Sequence, residues 1–333
     1  MPCITILTAV FNTADTLPRC LDSLLGQTLK DIEIICIDDA STDDSAAVLA
    51  RYAEQDPRVK VLHLPVNSGQ AHARNVGLTI ATGQYIGMVD ADDWLAPNAL
   101  EQLWTVACSH DDADAVLFSL FYVWPDGRQR PFVLPSEWGS DIPRSLSCQE
   151  AMRLSLRWDI HGLYIVRADI HHAYPYDDSA RLYSDDNTTR LHYLHSRRVY
   201  FSEGRYYYLQ HPASATQRIS VLYFESLAAQ RHMRQLLAEE QQPTALLSYY
   251  DEYRWMQLID NCYYLFLHRS AFTRSERHVA WQKISSAWHT FPADSHGDFH
   301  SPTKFGYRKC PCFILFRLQE TIYFTLRLLI RQH

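Results

Sequence analysis

Four short runs rich in β-branched and other apolar residues, at 4–10, 32–37, 59–64 and 85–89, punctuate the first 115 residues. Runs of that length and make-up predict buried strands. Between them the apolar positions switch to helical spacing. Leu17, Leu21, Leu24 and Leu25 form one stripe, opened by Thr16-Leu-Pro and closed by Gly26; Val48, Leu49 and Tyr52 form a second, entered through Ser41-Thr-Asp-Asp. Residues 71–81 and 97–109 supply two more helices. Strand and helix alternating at this interval predict βαβ units, hence an α/β fold with a doubly wound, mainly parallel sheet.

In such sheets ligands bind beyond the carboxyl ends of the strands, so the polar residues found there carry information. Phe11 and Asn12 follow the first strand, Asp38 and Asp39 the second, residues 67–70 the third, and Asp90-Ala-Asp-Asp the fourth. One rim thus collects an aromatic ring, amides and up to five carboxylates. Bunched carboxylates repel one another unless a cation compensates, and a hard divalent ion suits them. The competing reading is that Asp92 or Asp93 caps the helix starting near Pro97; placement directly after an apolar strand favours the metal. Asp38 and its neighbours fit a strand-to-helix turn with capping residues, or a carboxylate that accepts hydrogen bonds from a base or ribose. Phe11 fits either a core position or a ring that stacks on a nucleobase.

Downstream the pattern changes. Residues 116–220 are irregular and aromatic, with Trp124, Trp138, Trp158, Tyr164 and Tyr206-Tyr-Tyr, and read as further strands and loops over the rim. Residues 221–290 return to helical spacing, and 292–307 read as a linker punctuated by proline and glycine. The expected organisation is one half-domain over 1–115, a second over 116–220, and a helical C-terminal region over 221–333.

Composition narrows the function. Of 333 residues, 47% are hydrophobic and 21% charged, which excludes a disordered chain. A net charge of −7 disfavours a general nucleic-acid binder. The first 115 residues hold 6 basic and 17 acidic side chains, and the rest 25 and 21; the acidic half can still bind phosphate through a recruited cation. The eight cysteines form no disulfide framework, since Cys3, Cys20, Cys36 and Cys108 lie in apolar segments and Cys310-Pro-Cys312 is not a metal or redox motif. No basic n-region opens the chain and no run of 18 apolar residues occurs, so the expected location is the cytoplasm.

Two continuous stretches, ITILTAVFNTADTLPRCLDSLLGQTLKDIEIICIDDASTDDS and NSGQAHARNVGLTIATGQYIGMVDADDWLAPNAL, resemble the family 2 glycosyltransferases, enzymes of the GT-A fold. The resemblance resumes at YSDDNTTRLHYLHSRRVYFSEGRYYYLQHPASAT, residues 183–216. It implies a GT-A-like architecture and a nucleotide-sugar donor, a UDP-sugar above all, used in bacterial surface-polysaccharide assembly. Thr8, Ala9, Phe11, Asn12 and Asp38 are then expected to hold the nucleotide, with Arg74 near the diphosphate. The D-x-D-D run matches Asp90, Asp92 and Asp93. Asp90 goes to the nucleotide side, and Asp92 and Asp93 to a divalent metal, Mn²⁺ or Mg²⁺. Family members carry Glu-Asp in the third stretch, with the aspartate as general base; here Asp185-Asp186 stands there, so Asp186 inherits that role and Asp185 is the alternative register. A basic residue common near the aromatic run is missing, which leaves His211 or Arg218 to assist the diphosphate.

The residue types suit the reaction. Displacing a nucleoside diphosphate from an anomeric carbon needs charge neutralisation on the leaving group and a base for the incoming hydroxyl. A single displacement inverts the configuration. The expected acceptor is a glycan or a lipid-linked saccharide, with no nucleic-acid partner. A nucleotidyltransferase would show a glycine-rich basic loop after the first strand, and TAVFNTADTL holds neither glycine nor lysine. A dinucleotide-binding domain lacks its G-x-G-x-x-G there. Loss of catalysis, leaving a sugar-nucleotide or glycan-binding module, is disfavoured by Asp38, Asp90, Asp92 and Asp186 being retained together.

The terminal stretch 308–331 is strongly amphipathic. At about 100° per residue, Lys309, Arg317, Glu320, Arg327 and Arg331 share a sector of about 80°, and most other positions are apolar. It either packs on the preceding helices or lies on a membrane. Its positive charge and its place after a linker tilt the expectation toward an in-plane, peripheral contact on the cytoplasmic face of the inner membrane.

Overall fold

A computed structural model describes residues 1–139, 141–180, 183, 185–211, 218–291 and 312–331. The chain forms two compact units, Met1–Asp178 with Ser184–Ser214, and Ser179–Tyr183 with Ala215–His333. The expected linker at 292–307, Cys310, and the start of the terminal amphipathic stretch at 308–311 lie outside the described residues.

The first unit is built on β1 (Ile4–Val10), β2 (Ile32–Asp38), β3 (Val59–His63), β4 (Tyr85–Met88), β5 (Trp94–Leu95), β6 (Ala113–Val123), β7 (Gln129–Pro131), β8 (Ser145–Ser147), β9 (Tyr164–Arg167) and β10 (Arg198–Leu209). The main path of the sheet runs β3-β2-β1-β4-β9-β6-β10-β5. Its β3-β2-β1-β4 portion is parallel, as the βαβ pattern requires. Between β4 and β6, β9 enters antiparallel to both; β6 and β10 are again parallel.

Helices cover both faces, which explains why β1 and β2 carry apolar residues on both sides rather than at alternate positions only. On one face Ile4, Ile6, Ile34 and Cys36 pack against α1 (Leu17–Leu25), α2 (Ser45–Gln55) and α4 (Ala99–Ser109). On the other, Leu7, Ile35 and Ile37 meet α3 (Gln70–Leu78). A Cβ on Gly77 would lie 2.6 Å from Ile37 Cδ1, so glycine lets α3 press close to the sheet. That seat fixes Arg74, one turn earlier, beneath the rim. Beyond β4, α5 (Cys148–Ser155) and α7 (Asp185–His195) cover Ala115, Leu117 and Val199, and α6 (Ala168–Ala173) follows β9 directly.

The second unit contains α8 (Glu225–Glu239), α9 (Thr244–Leu267), α10 (Arg274–Trp288) and α11 (Phe313–Arg331). Phe224, Trp255, Leu258, Ile259, Trp288, Phe316 and Phe324 form its core. The terminal helix turns the middle of its charged sector toward the other helices of this unit. Phe316, Glu320 and Phe324 are buried, and the Arg317 and Arg327 guanidinium groups lie over the rings of Trp281 and Tyr263, at 4.2 and 5.0 Å. The guanidinium heads themselves cover aromatic surface, a cation–π arrangement. The opposite face, with Ile314, Leu318, Ile322, Leu326, Leu329 and Ile330, is exposed. No described helix is long and apolar enough to cross a membrane.

Candidate active site

The loops after β1 and β2 are stitched together. Asn12 adopts φ +52°, its N–H donates to Ser41 Oγ (3.1 Å), and its Oδ1 accepts from the Thr42 N–H (2.7 Å). The Thr13 and Ala14 N–H groups donate to Ser45 Oγ and Asp43 Oδ2. Ser41 to Asp43 therefore serve the turn, and Asn12 acts through the loop. Phe11 is 45% exposed at the rim, which excludes a core role. Thr8 is fully buried in β1, and Ala9 is partly buried beside it.

Asp38 closes β2. Its Oδ1 accepts from the Ser41 N–H (3.0 Å), and His63 Nδ1 lies 3.0 Å from Oδ2. Burial alone would raise its pKa, but the bonds from Ser41 and His63 outweigh burial and hold it below the ordinary range. Neighbouring Asp39 accepts from the Ser68 and Gly69 N–H groups (2.7 and 2.8 Å), locking the loop that leads into α3.

Arg74 is the hub of the rim. It is 1% exposed, pairs through Nη2 with Asp90 Oδ1, and places Nη1 3.7 Å from Asp185 Oδ2. Gln70 completes the arrangement by donating Nε2 to the same Asp185 oxygen (3.2 Å). The end of β4 and the start of α7, far apart in sequence, are thus held on one cation.

The four-residue acidic run separates into different roles. Asp92 is partly exposed, with Oδ2 3.0 Å from His211 Nε2, and its carbonyl accepts from Arg19 Nη2 (2.8 Å). Asp93, expected as a second metal ligand, is turned inward and fully buried. Its oxygens accept from Tyr206 Oη (2.7 Å) and the Leu209 N–H (2.8 Å). Both oxygens are engaged by β10 and the side chain is fully buried, so Asp93 braces the rim while the Asp92–His211 pair is partly exposed. Tyr206 Oη also accepts from the Asp90 N–H (3.1 Å), which joins the two carboxylate positions through one hydroxyl.

Asp185 and Asp186 open α7. Asp186 is 17% exposed and 3.9 Å from Arg190. Burial, reinforced by the negative charge of Asp185, raises its pKa to about 7 against the opposing pull of Arg190 and a hydrogen bond from Trp158. Neighbouring Ser184 and residues 212–217 lie outside the described residues, and Arg218 stands exposed in the second unit.

Among the described residues no group of three or more His, Cys, Asp or Glu is gathered as a ready-made metal centre. The Asp92–His211 pair nevertheless fits a divalent ion that takes its other ligands from substrate and water: a carboxylate and an imidazole converge, both partly exposed.

Residues 5–161 match the model of Glycosyl transferase family 2. Over that segment, a little under half of its length, this chain is similar to glycosyltransferase family 2. It is 29% identical to glycosyltransferase GlyG of Streptococcus pneumoniae over 63% of this chain and 72% of GlyG. Identity to YibD of Escherichia coli is 41%, over 32% of this chain and about a third of YibD, 31% of its length. Among solved structures, Staphylococcus aureus TarS 1-349 in complex with UDP-GlcNAc superposes with a TM-score of 0.70 at 17% identity. The alignment covers all of this chain and 92% of that one, a likeness of fold.

The family match ends at residue 161, so Asp185, Asp186 and His211 of this glycosyltransferase lie beyond it. Sequence reasoning missed His63 as the partner of Asp38, Gln70 as a holder of Asp185, and the double role of Tyr206. Only Tyr206 left a signal, as part of an aromatic triplet. It also missed Trp158 beside Asp186.

Proposed function

We propose that this enzyme moves a sugar from a nucleotide-sugar donor, a UDP-sugar, to a hydroxyl of a glycan or lipid-linked saccharide, with inversion in a single displacement. Residues 1–115 form the donor half: Phe11 stacks on the base, the strand ends at Thr8, Ala9 and Asn12 shape its bed, and Asp38 with His63 receives the nucleoside. TarS, crystallised with UDP-GlcNAc and with UDP, supports a uridine nucleotide on this fold.

Asp92 and His211 would hold Mn²⁺ or Mg²⁺, which when bound supplies positive charge for the departing diphosphate. Arg74 is committed to Asp90 and Asp185, so its contribution is to keep donor and acceptor sides in register rather than to contact phosphate itself. Asp186 takes the proton from the acceptor hydroxyl as that oxygen attacks the anomeric carbon and the bond to the diphosphate breaks. The observation that carries this reading is the Asp186 carboxyl, raised to about 7 by burial at the head of α7. A base with a pKa near the working pH is effective and worth about 10²–10⁴ in rate.

The test is Asp186→Asn beside Asp185→Asn. Asp186→Asn abolishes transfer and leaves UDP affinity within about twofold, because the base acts on the acceptor. Loss of turnover in Asp185→Asn alone would assign the base one residue earlier.

The exposed apolar face of α11 supports a peripheral contact with a lipid surface on the cytoplasmic side. Seven aliphatic side chains project from one arc of the helix, with Arg317 exposed at its margin to meet anionic headgroups.

A further inference from the structure

Helix α5 ends in a way that its sequence does not favour. The Trp158 N–H donates to the Ser155 carbonyl (3.3 Å) and the Asp159 N–H to the Leu154 carbonyl (3.0 Å). These are the two bonds of a Schellman closure, whose left-handed residue is usually glycine. Here that residue is Trp158, at φ +62°. A bulky side chain in this region is a genuine outlier, and such strain gathers where a side chain has work to do.

The corner that Trp158 occupies meets the head of α7 through Arg190, which lies 3.9 Å from Asp186, and the indole N–H opposes the upward push of burial on the Asp186 carboxyl. The residue is 39% exposed, which leaves apolar ring surface open to solvent. The same corner is tied down from the other side: Arg190 Nε reaches the Ser155 carbonyl (3.5 Å) and Arg190 Nη1 donates to Asn187 Oδ1 (3.2 Å). Backbone closure and arginine bridge together aim the indole at the head of α7. An apolar ring face beside a proton acceptor matches a sugar ring, which has an apolar C–H face and hydroxyls at its edge.

We propose that Trp158 is the floor of an acceptor subsite, where a pyranose ring lies on the indole and directs a hydroxyl to Asp186. This rests on Asp186 being the base. Glycine would fit the backbone better but offers neither the ring nor the indole N–H. Trp158 is therefore an acceptor-binding residue that also positions the base.

The experiment uses the full chain with saturating UDP and Mn²⁺, and the methyl glycopyranosides of glucose, galactose, N-acetylglucosamine and rhamnose as probes. Binding is read by saturation-transfer NMR, donor-site integrity by UDP calorimetry, and folding by thermal denaturation. At least one glycoside should give a signal with wild type that falls at least fivefold in Trp158→Gly. In that variant the melting temperature should be unchanged or raised, and UDP affinity unchanged. Trp158→Phe, which keeps a ring but not the N–H, should retain the signal. A merely structural tryptophan would instead lower melting temperature and UDP affinity together. No glycoside signal in wild type, an undiminished signal in Trp158→Gly, or loss of UDP binding in both variants overturns the proposal. Asp186→Asn separates the two readings: it should keep the glycoside signal and lose turnover. Persistent turnover there defeats the base assignment, whereas the glycoside arms bear on Trp158 alone.

Discussion

His211 reaches back to Asp92 across more than a hundred residues and sets its Nε2 3.0 Å from the carboxylate. The pair lies beside a strand end whose other carboxylates are occupied: Asp90 by Arg74, and Asp93 by Tyr206 and Leu209. If these two side chains are the protein's share of a metal site, UDP binding by calorimetry should weaken at least tenfold when EDTA replaces Mn²⁺. Asp92→Ala and His211→Ala should each remove most of that metal-dependent gain. The double variant should be little worse than either single one, as expected of ligands that act together. Metal-independent UDP affinity in wild type would remove the metal from the account.

Three buried histidines predict acid sensitivity. Burial lowers His161 and His192 to about 4 and His171 well below its ordinary value. Their folded-state pKa values lie below the unfolded value near 6.5, so above that pH they cost nothing. As pH falls below about 6.5 the unfolded chain binds protons that the folded chain refuses, and stability drops until about pH 4. His161 and His192 each account for a loss on the order of 3 kcal/mol across that window. Urea denaturation from pH 7.5 to 4.5 should show the midpoint falling steadily. His192→Gln should flatten the curve, because a neutral amide can replace the contacts to Tyr164 Oη and the Tyr174 carbonyl.

The exposed arc of α11 predicts binding to lipid. Full-length protein should sediment with phosphatidylglycerol vesicles at low salt and be released as salt rises. Ile322→Glu with Leu329→Glu changes two side chains that are 52% and 55% exposed, so it should abolish sedimentation with melting temperature unchanged. Wild type and variant behaving alike, in either fraction, would contradict the contact.

Much of the donor half was legible because its strands are buried on both faces. The apolar run at 4–10 is β1 to the residue, 85–89 overruns β4 by one, and Gly26 ends α1 as expected. The acidic rim was legible as a convergence, since polar residues at successive strand ends must meet. How the carboxylates divide the work was not, because it depends on partners from distant elements: His63 for Asp38, Gly69 for Asp39, Tyr206 for Asp93. The insertion of β9 antiparallel between β4 and β6 is also a matter of long-range pairing, which local periodicity does not encode. On α11 the charge pattern left open which face packs, because it does not show that the Arg317 and Arg327 guanidinium groups lie over Trp281 and Tyr263. Nothing in SLRWDIHG marks Trp158 as left-handed, for the closure of α5 normally announces itself with glycine.

The most direct measurement is the pH dependence of transfer at saturating donor, followed as UDP release from UDP-GlcNAc or whichever UDP-sugar proves to be used. A carboxylate base raised to about 7 must be ionised to act. The rate should therefore be level above pH 7 and fall about tenfold per pH unit below it. An acidic limb near pH 4, where an ordinary aspartate titrates, or a rate that is flat down to pH 5, would contradict Asp186 as the base.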